Sequence, residues 1–164
     1  NSARHPMIRS TLVAVSLAMA FSAPAFASGL TAEQSVDKVV TTTNETGELI
    51  RTFVTAERLT PGDELRYALT YENAADEAAS NIVLVMPVPE EVEFIESSAT
   101  ATGAAVEYSA DGGSTFADRQ ALTVMVGDTA RAALPEDITH IRWTFTEAVA
   151  PDATGAVTYR ARLK

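Results

Sequence analysis

The chain has 164 residues, with 12 Lys+Arg against 22 Asp+Glu, two His and no Cys. Acids that outnumber bases nearly two to one argue against a nucleic-acid partner, because each phosphate contact calls for a cationic side chain. The same balance argues against polybasic attachment to anionic lipid. The missing Cys removes thiolate nucleophiles, cysteine metal sites and disulfide staples together.

Residues 1–6 are read as sequence upstream of the initiator Met7. Residues 7–27 are read as a secretory signal peptide: Met7-Ile8-Arg9 is the positive start, residues 12–21 are the apolar stretch, and Ala25-Phe26-Ala27 is the small-x-small site. Cleavage is expected between Ala27 and Ser28. Ser16, Ser22 and Pro24 leave the apolar stretch short of the roughly 20 residues that a membrane span requires, and no later stretch is apolar enough. No membrane span is therefore expected. Removing the leader takes away Arg4 and Arg9 but no acid, leaving 10 basic residues against 22 acidic ones and a charge of −12. The expectation is an exported protein whose destination is the extracellular medium, the cell surface or the periplasm. About 137 residues remain, one domain's worth, able to bury roughly 68% of their unfolded surface without staples.

Residues 28–48 read as a separate polar and β-prone segment. Residues 28–34 are polar, residues 36–43 are β-prone, and residues 44–48 form a polar break. Two uses fit the β-prone stretch. It can pair within its own domain, or it can be donated to a neighbouring copy, with Val36, Val39 and Val40 as the assembly residues. Donation head to tail would give a filament when the symmetry does not close.

Residues 49–164 read as the sandwich domain. Leu65, Tyr67, Leu69 and Tyr71 alternate with polar or small residues, as do Ile141, Trp143 and Phe145, and then Val157, Tyr159, Ala161 and Leu163. Period two is the mark of a half-buried strand. Weaker strands are expected at 36–43, 49–57, 81–86, 92–95, 105–109 and 121–126; residues 74–80 could form one helical turn, too short to organise a core. Pro61-Gly62-Asp63, Asp111-Gly112-Gly113 and Gly127-Asp128 supply turns, while Pro87 and Pro89 end a strand. The predicted fold is all-β: an immunoglobulin-like antiparallel β-sandwich of about eight or nine strands, with an up-and-down barrel as the alternative.

The run Leu59-Thr60-Pro61-Gly62-Asp63-Glu64-Leu65-Arg66-Tyr67 leads into Leu69-Thr70-Tyr71-Glu72-Asn73, then Asn81-Ile82-Val83-Leu84 and Pro87-Val88-Pro89. Tyr108 to Phe116 around Asp111-Gly112-Gly113, Ile138 to Trp143, and the closing Gly155 to Arg160 follow. Over about residues 52–164 this order resembles the conserved repeat domain of bacterial surface proteins, the eleventh of the numbered domains of unknown function. The resemblance implies an immunoglobulin-like fold and a spacer or interaction role. The departure is copy number: the family often runs in tandem, and this chain carries one copy. A fold of that kind implies no chemistry by itself.

Candidate chemistry is sparse. After cleavage only His140 remains of the two histidines, with no Gly-x-Ser-x-Gly elbow to serve it. Asp111, Asp118 and Asp128 lie near glycine turns and are the weak calcium candidates, although their spacing matches no EF-hand loop. No other cofactor is expected. Glu90, Glu91, Glu93 and Glu96 are dense enough to raise glycoside hydrolysis, but they surround one short strand, where charge protects an edge. A Lys–Asn crosslink would have to use Lys38 or Lys164 with Asn44, Asn73 or Asn81. Trp143, Tyr67, Tyr71 and Tyr159 could stack sugars, yet at alternating strand positions aromatics belong to a core; Tyr108, beside a turn, stays open. The resulting expectation is a non-enzymatic exported structural or interaction module that associates with itself or with other surface proteins. The alternative is a monomeric periplasmic ligand-binding or carbohydrate-active protein.

Overall fold

The computed structural model describes residues 29–100 and 102–164, so the leader and its cleavage site lie outside the described residues. The described residues form ten strands: β1 (Leu30–Thr43), β2 (Leu49–Thr55), β3 (Glu64–Asn73), β4 (Val83–Pro87), β5 (Val92–Phe94), β6 (Ala104–Ser109), β7 (Thr123–Val126), β8 (Thr129–Ala132), β9 (His140–Phe145) and β10 (Thr154–Leu163). A single 3-10 turn, Pro135–Asp137, is the only helical element among the described residues. The expected helical turn at 74–80 is absent; that stretch is a bend held by the Asn73 side chain.

Every strand pairing is antiparallel. Five strands form one sheet in the order β2-β1-β3-β10-β5, three form a second in the order β4-β9-β6, and β7-β8 is a separate hairpin. The two larger sheets close on a shared core. Leu65, Tyr67, Val157, Tyr159 and Phe94 come from the first, and Leu84, Met86, Ile141 and Trp143 from the second. Leu65, Tyr67, Ile141, Trp143, Val157 and Tyr159 belong to the three period-two runs of the sequence, whose alternation became the inward face of the sandwich, while Leu84, Met86 and Phe94 come from strands expected as weaker.

Polar side chains pin the fold at two points, one between the sheets and one at the end of β3. The Tyr159 hydroxyl donates to the Pro87 carbonyl at 2.7 Å, and its ring stacks on Tyr67 at 4.8 Å between centroids. Asn73, fully buried, donates to the carbonyls of Glu77 and Val149 at 2.8 and 2.9 Å and accepts from the Ala75 amide at 3.1 Å. One side chain thus fixes the chain's departure from β3. At Gly155 a Cβ would lie 2.3 Å from the Tyr71 hydroxyl, so the β10 backbone lets that ring lie across it and meet Phe145 edge-on.

Residues 30–43 of the expected N-terminal segment are part of the sandwich sheet. Residues 30–38 of β1 pair with β3, and residues 37–43 pair with β2. The sheet therefore begins at Leu30, and a boundary between residues 48 and 49 would cut the β1–β2 hairpin at its turn.

Candidate functional site

The unusual feature is that hairpin. β1 is 14 residues long, and it shares only Asp37 and Lys38 between its two partners. From Val39 to Thr43 it has β2 alone beside it, so the two strands run past the start of β3 as a ribbon. The turn that joins them is built by Asn44. Its side-chain carbonyl accepts from the Thr46 amide at 3.0 Å, the Thr46 hydroxyl at 2.7 Å and the Glu48 amide at 2.8 Å. Gly47 at φ 83 completes the turn, donating to the Asn44 carbonyl at 3.0 Å.

The ribbon is apolar and uncovered. Leu49 is 66% exposed, Ile50 45%, Phe53 42% and Val54 40%. Register places Ile50, Thr52 and Val54 on the side of the core, and Leu49, Arg51 and Phe53 on the other. On the core side the exposure of Ile50 and Val54 follows from sheet widths: strands lie about 4.8 Å apart, and a three-stranded sheet cannot roof a five-stranded one to its edge. On the outer side the Arg66 guanidinium covers part of Phe53, 3.7 Å from the ring centroid, and is itself held by Asp37 at 2.7 Å. The root of the ribbon is tied by Lys38 to Asp63 at 2.9 Å; this ion pair, with the Thr60 amide, holds the Asp63 carboxyl below its usual range.

The three assembly residues fare differently. Val39 is buried opposite Phe53, Val36 is half-buried against the core opposite Tyr67, and Val40 is exposed on the ribbon. Within the ribbon the larger exposed apolar residues lie on β2. Leu49-Ile50 and Phe53-Val54, two adjacent apolar pairs that must point to both faces of a strand, were the sequence signal for them.

The other candidates do not converge. Asp111 accepts from the Thr115 hydroxyl at 2.6 Å and amide at 2.9 Å, and from the Ser109 hydroxyl at 2.7 Å. Those donors hold its carboxyl well below the usual carboxylate range, and they spend it on its own loop. Asp118 and Asp128 are exposed elsewhere, and among the described residues no three His, Asp or Glu side chains gather as a metal site. His140 is half-buried, with Nδ1 3.1 Å from the Thr139 hydroxyl; burial lowers its pKa, the Asp111 carboxylate opposing. Glu91 and Glu93 are exposed around β5. Trp143, Tyr67 and Tyr159 are core, and Tyr108 is buried beside Phe94 rather than free to stack a ligand. Lys38 is engaged with Asp63 and Asn73 with backbone carbonyls, so neither faces the other.

Comparison of the chain with protein-family models, curated proteins and solved structures found no match. The site is therefore read on its own geometry. What it offers is a strand edge and an exposed apolar surface.

Proposed function

We propose that this protein is a non-catalytic exported module of the cell exterior that works by protein–protein contact, self-association included, through its N-terminal ribbon. The observation that carries the reading is the exposed apolar set Leu49, Ile50, Phe53 and Val54 on a hairpin that extends beyond the packed sandwich. Apolar patches that a fold leaves uncovered mark contact sites. The resemblance of residues 52–164 to repeat modules of surface proteins supports the same reading. The signal-like leader supports export. Donation of β1 to a neighbour would require it to leave β3, with which it pairs from Leu30 to Lys38; contact through the ribbon as folded needs no such step.

The net negative charge opposes association, so contact between copies should tighten as salt screens the repulsion. Protein purified from the exported fraction of cells making the full chain, examined by sedimentation and negative-stain microscopy at low and high salt, tests the reading. Concentration-dependent oligomers or filaments are the expected result. A monomer at every concentration that binds or turns over members of a polysaccharide panel would replace it with the monomeric carbohydrate-active alternative.

A further inference from the structure

We propose that the partner of the ribbon is a second copy of this chain, and that the two copies join edge to edge, β2 antiparallel to β2, with Thr52 opposite Thr52 on a twofold axis. The inference rests on the self-association reading above and names its surface, partner and register.

The sheet edges of this fold differ in how they are protected. Exposed strand edges are normally blunted by short length, by Pro, by inward charge or by a covering segment. β5, the other edge of the same sheet, has only three residues, with exposed Glu93 at its centre and Pro89 and exposed Glu91 before it. In the smaller sheet β4 ends at Pro87, and β6 is bridged by Ala117 at Tyr108. β2 has none of these devices. It runs seven residues without Pro, Gly, Lys or acid, four of the seven are exposed apolar residues, and no strand lies on its far side among the described residues.

β2 is also self-complementary. A twofold axis normal to the sheet keeps each side chain on its own face, so residue i can oppose only a residue of the same parity. Centring on Thr52, the middle of Leu49–Thr55, overlaps all seven residues. That register sets Ile50 against Val54 twice, Arg51 against Phe53 twice, and Thr52 against Thr52. Aliphatic, cation–aromatic and hydroxyl pairs of this kind favour cross-strand contact. Moving the centre to Arg51 sets two guanidinium groups face to face and shortens the overlap, and moving it to Phe53 shortens the overlap equally. The charge distribution agrees: a chain of net charge −10 presents here a strand whose one charged residue is Arg51.

Size sets the strength. A seven-residue strand is about 23 Å long and, at about 10 Å deep, offers a few hundred Å² per copy, below the roughly 800 Å² of a standard interface. The pairing is therefore reversible and concentration dependent, and by itself it closes at a dimer.

The Cys-free sequence makes the test clean. Single variants R51C, T52C and F53C of the full chain, purified from the exported fraction and mildly oxidised, report the register. T52C should crosslink at least fivefold more than either neighbour, because only its side chains lie directly across the axis. Ile50→Lys should make the protein monomeric at concentrations where the parent is dimeric, with the melting temperature unchanged to show that the fold is intact. Oligomers that persist in Ile50→Lys, or crosslink without preference for T52C, overturn the β2 pairing and leave the broader self-association reading standing. A parent that is monomeric throughout overturns both.

Discussion

Asn73 offers the sharpest test of how the sandwich is held. It is fully buried at the end of β3, and its side chain makes three hydrogen bonds of 2.8, 2.9 and 3.1 Å to three different backbone groups. Asn73→Ala removes all three. At a net ~1 kcal/mol for each buried bond the loss is about 3 kcal/mol. Val149 keeps one partner, since its carbonyl also accepts from the Ala79 amide at 2.8 Å, so the loss should not run much higher. Against a total stability of roughly 5–15 kcal/mol that is a large fraction, and at about 3 °C per kcal/mol the melting temperature falls by about 10 °C. Asn44→Ala, in the β1–β2 turn, provides the internal comparison. Thermal and urea denaturation followed by far-UV circular dichroism measures both. Equal losses for the two variants would refute the claim that burial, rather than bond number, gives Asn73 its weight.

Three further outcomes follow from the same geometry. Tyr159→Phe deletes the bond to Pro87 and should cost about 1–2 kcal/mol, while Tyr67→Phe should be neutral or stabilising, because the Tyr67 hydroxyl is buried without a partner and its pKa is pushed up to about 12 by that burial. Leu84→Ala, at a fully buried position, should cost about 2–5 kcal/mol by cavity formation in denaturant melts. Acid should destabilise the fold in two steps. The His140 pKa is lowered on folding, so the unfolded chain takes up the proton first, and stability falls as pH drops below about 6.5 through the folded value. Asp63 and Asp137, held down by Lys38 and Arg131, lose their contribution below about pH 4. Melting temperature against pH should show both, and His140→Asn should remove only the upper step.

The strands that carry the core were legible in the sequence because a sheet packed on one face needs apolar side chains at every second position. β3, β9 and β10 are where that alternation is longest. Two strands were not legible. The first half of β1, with Leu30, Ala32 and Gln34 inward, has too little apolar contrast to announce itself, and it is a strand because β3 presents an edge for it to pair with. β8, Thr-Ala-Arg-Ala, is largely exposed and is placed by the two-residue turn at Gly127-Asp128, where Gly127 at φ 62 folds it back on β7.

The candidate site divides the same way. Its apolar residues are visible in the chain as written, for Leu49-Ile50 and Phe53-Val54 cannot all face one side of a strand. Whether such residues are buried is a property of what lies above and beside them, and no local pattern states it. Local periodicity by itself determined an antiparallel β-sandwich, since the inward face is written residue by residue. Only the tertiary structure decided that the smaller sheet stops short of β2, leaving an apolar ribbon with a free edge, because sheet width and strand order arise from contacts between residues far apart in the chain.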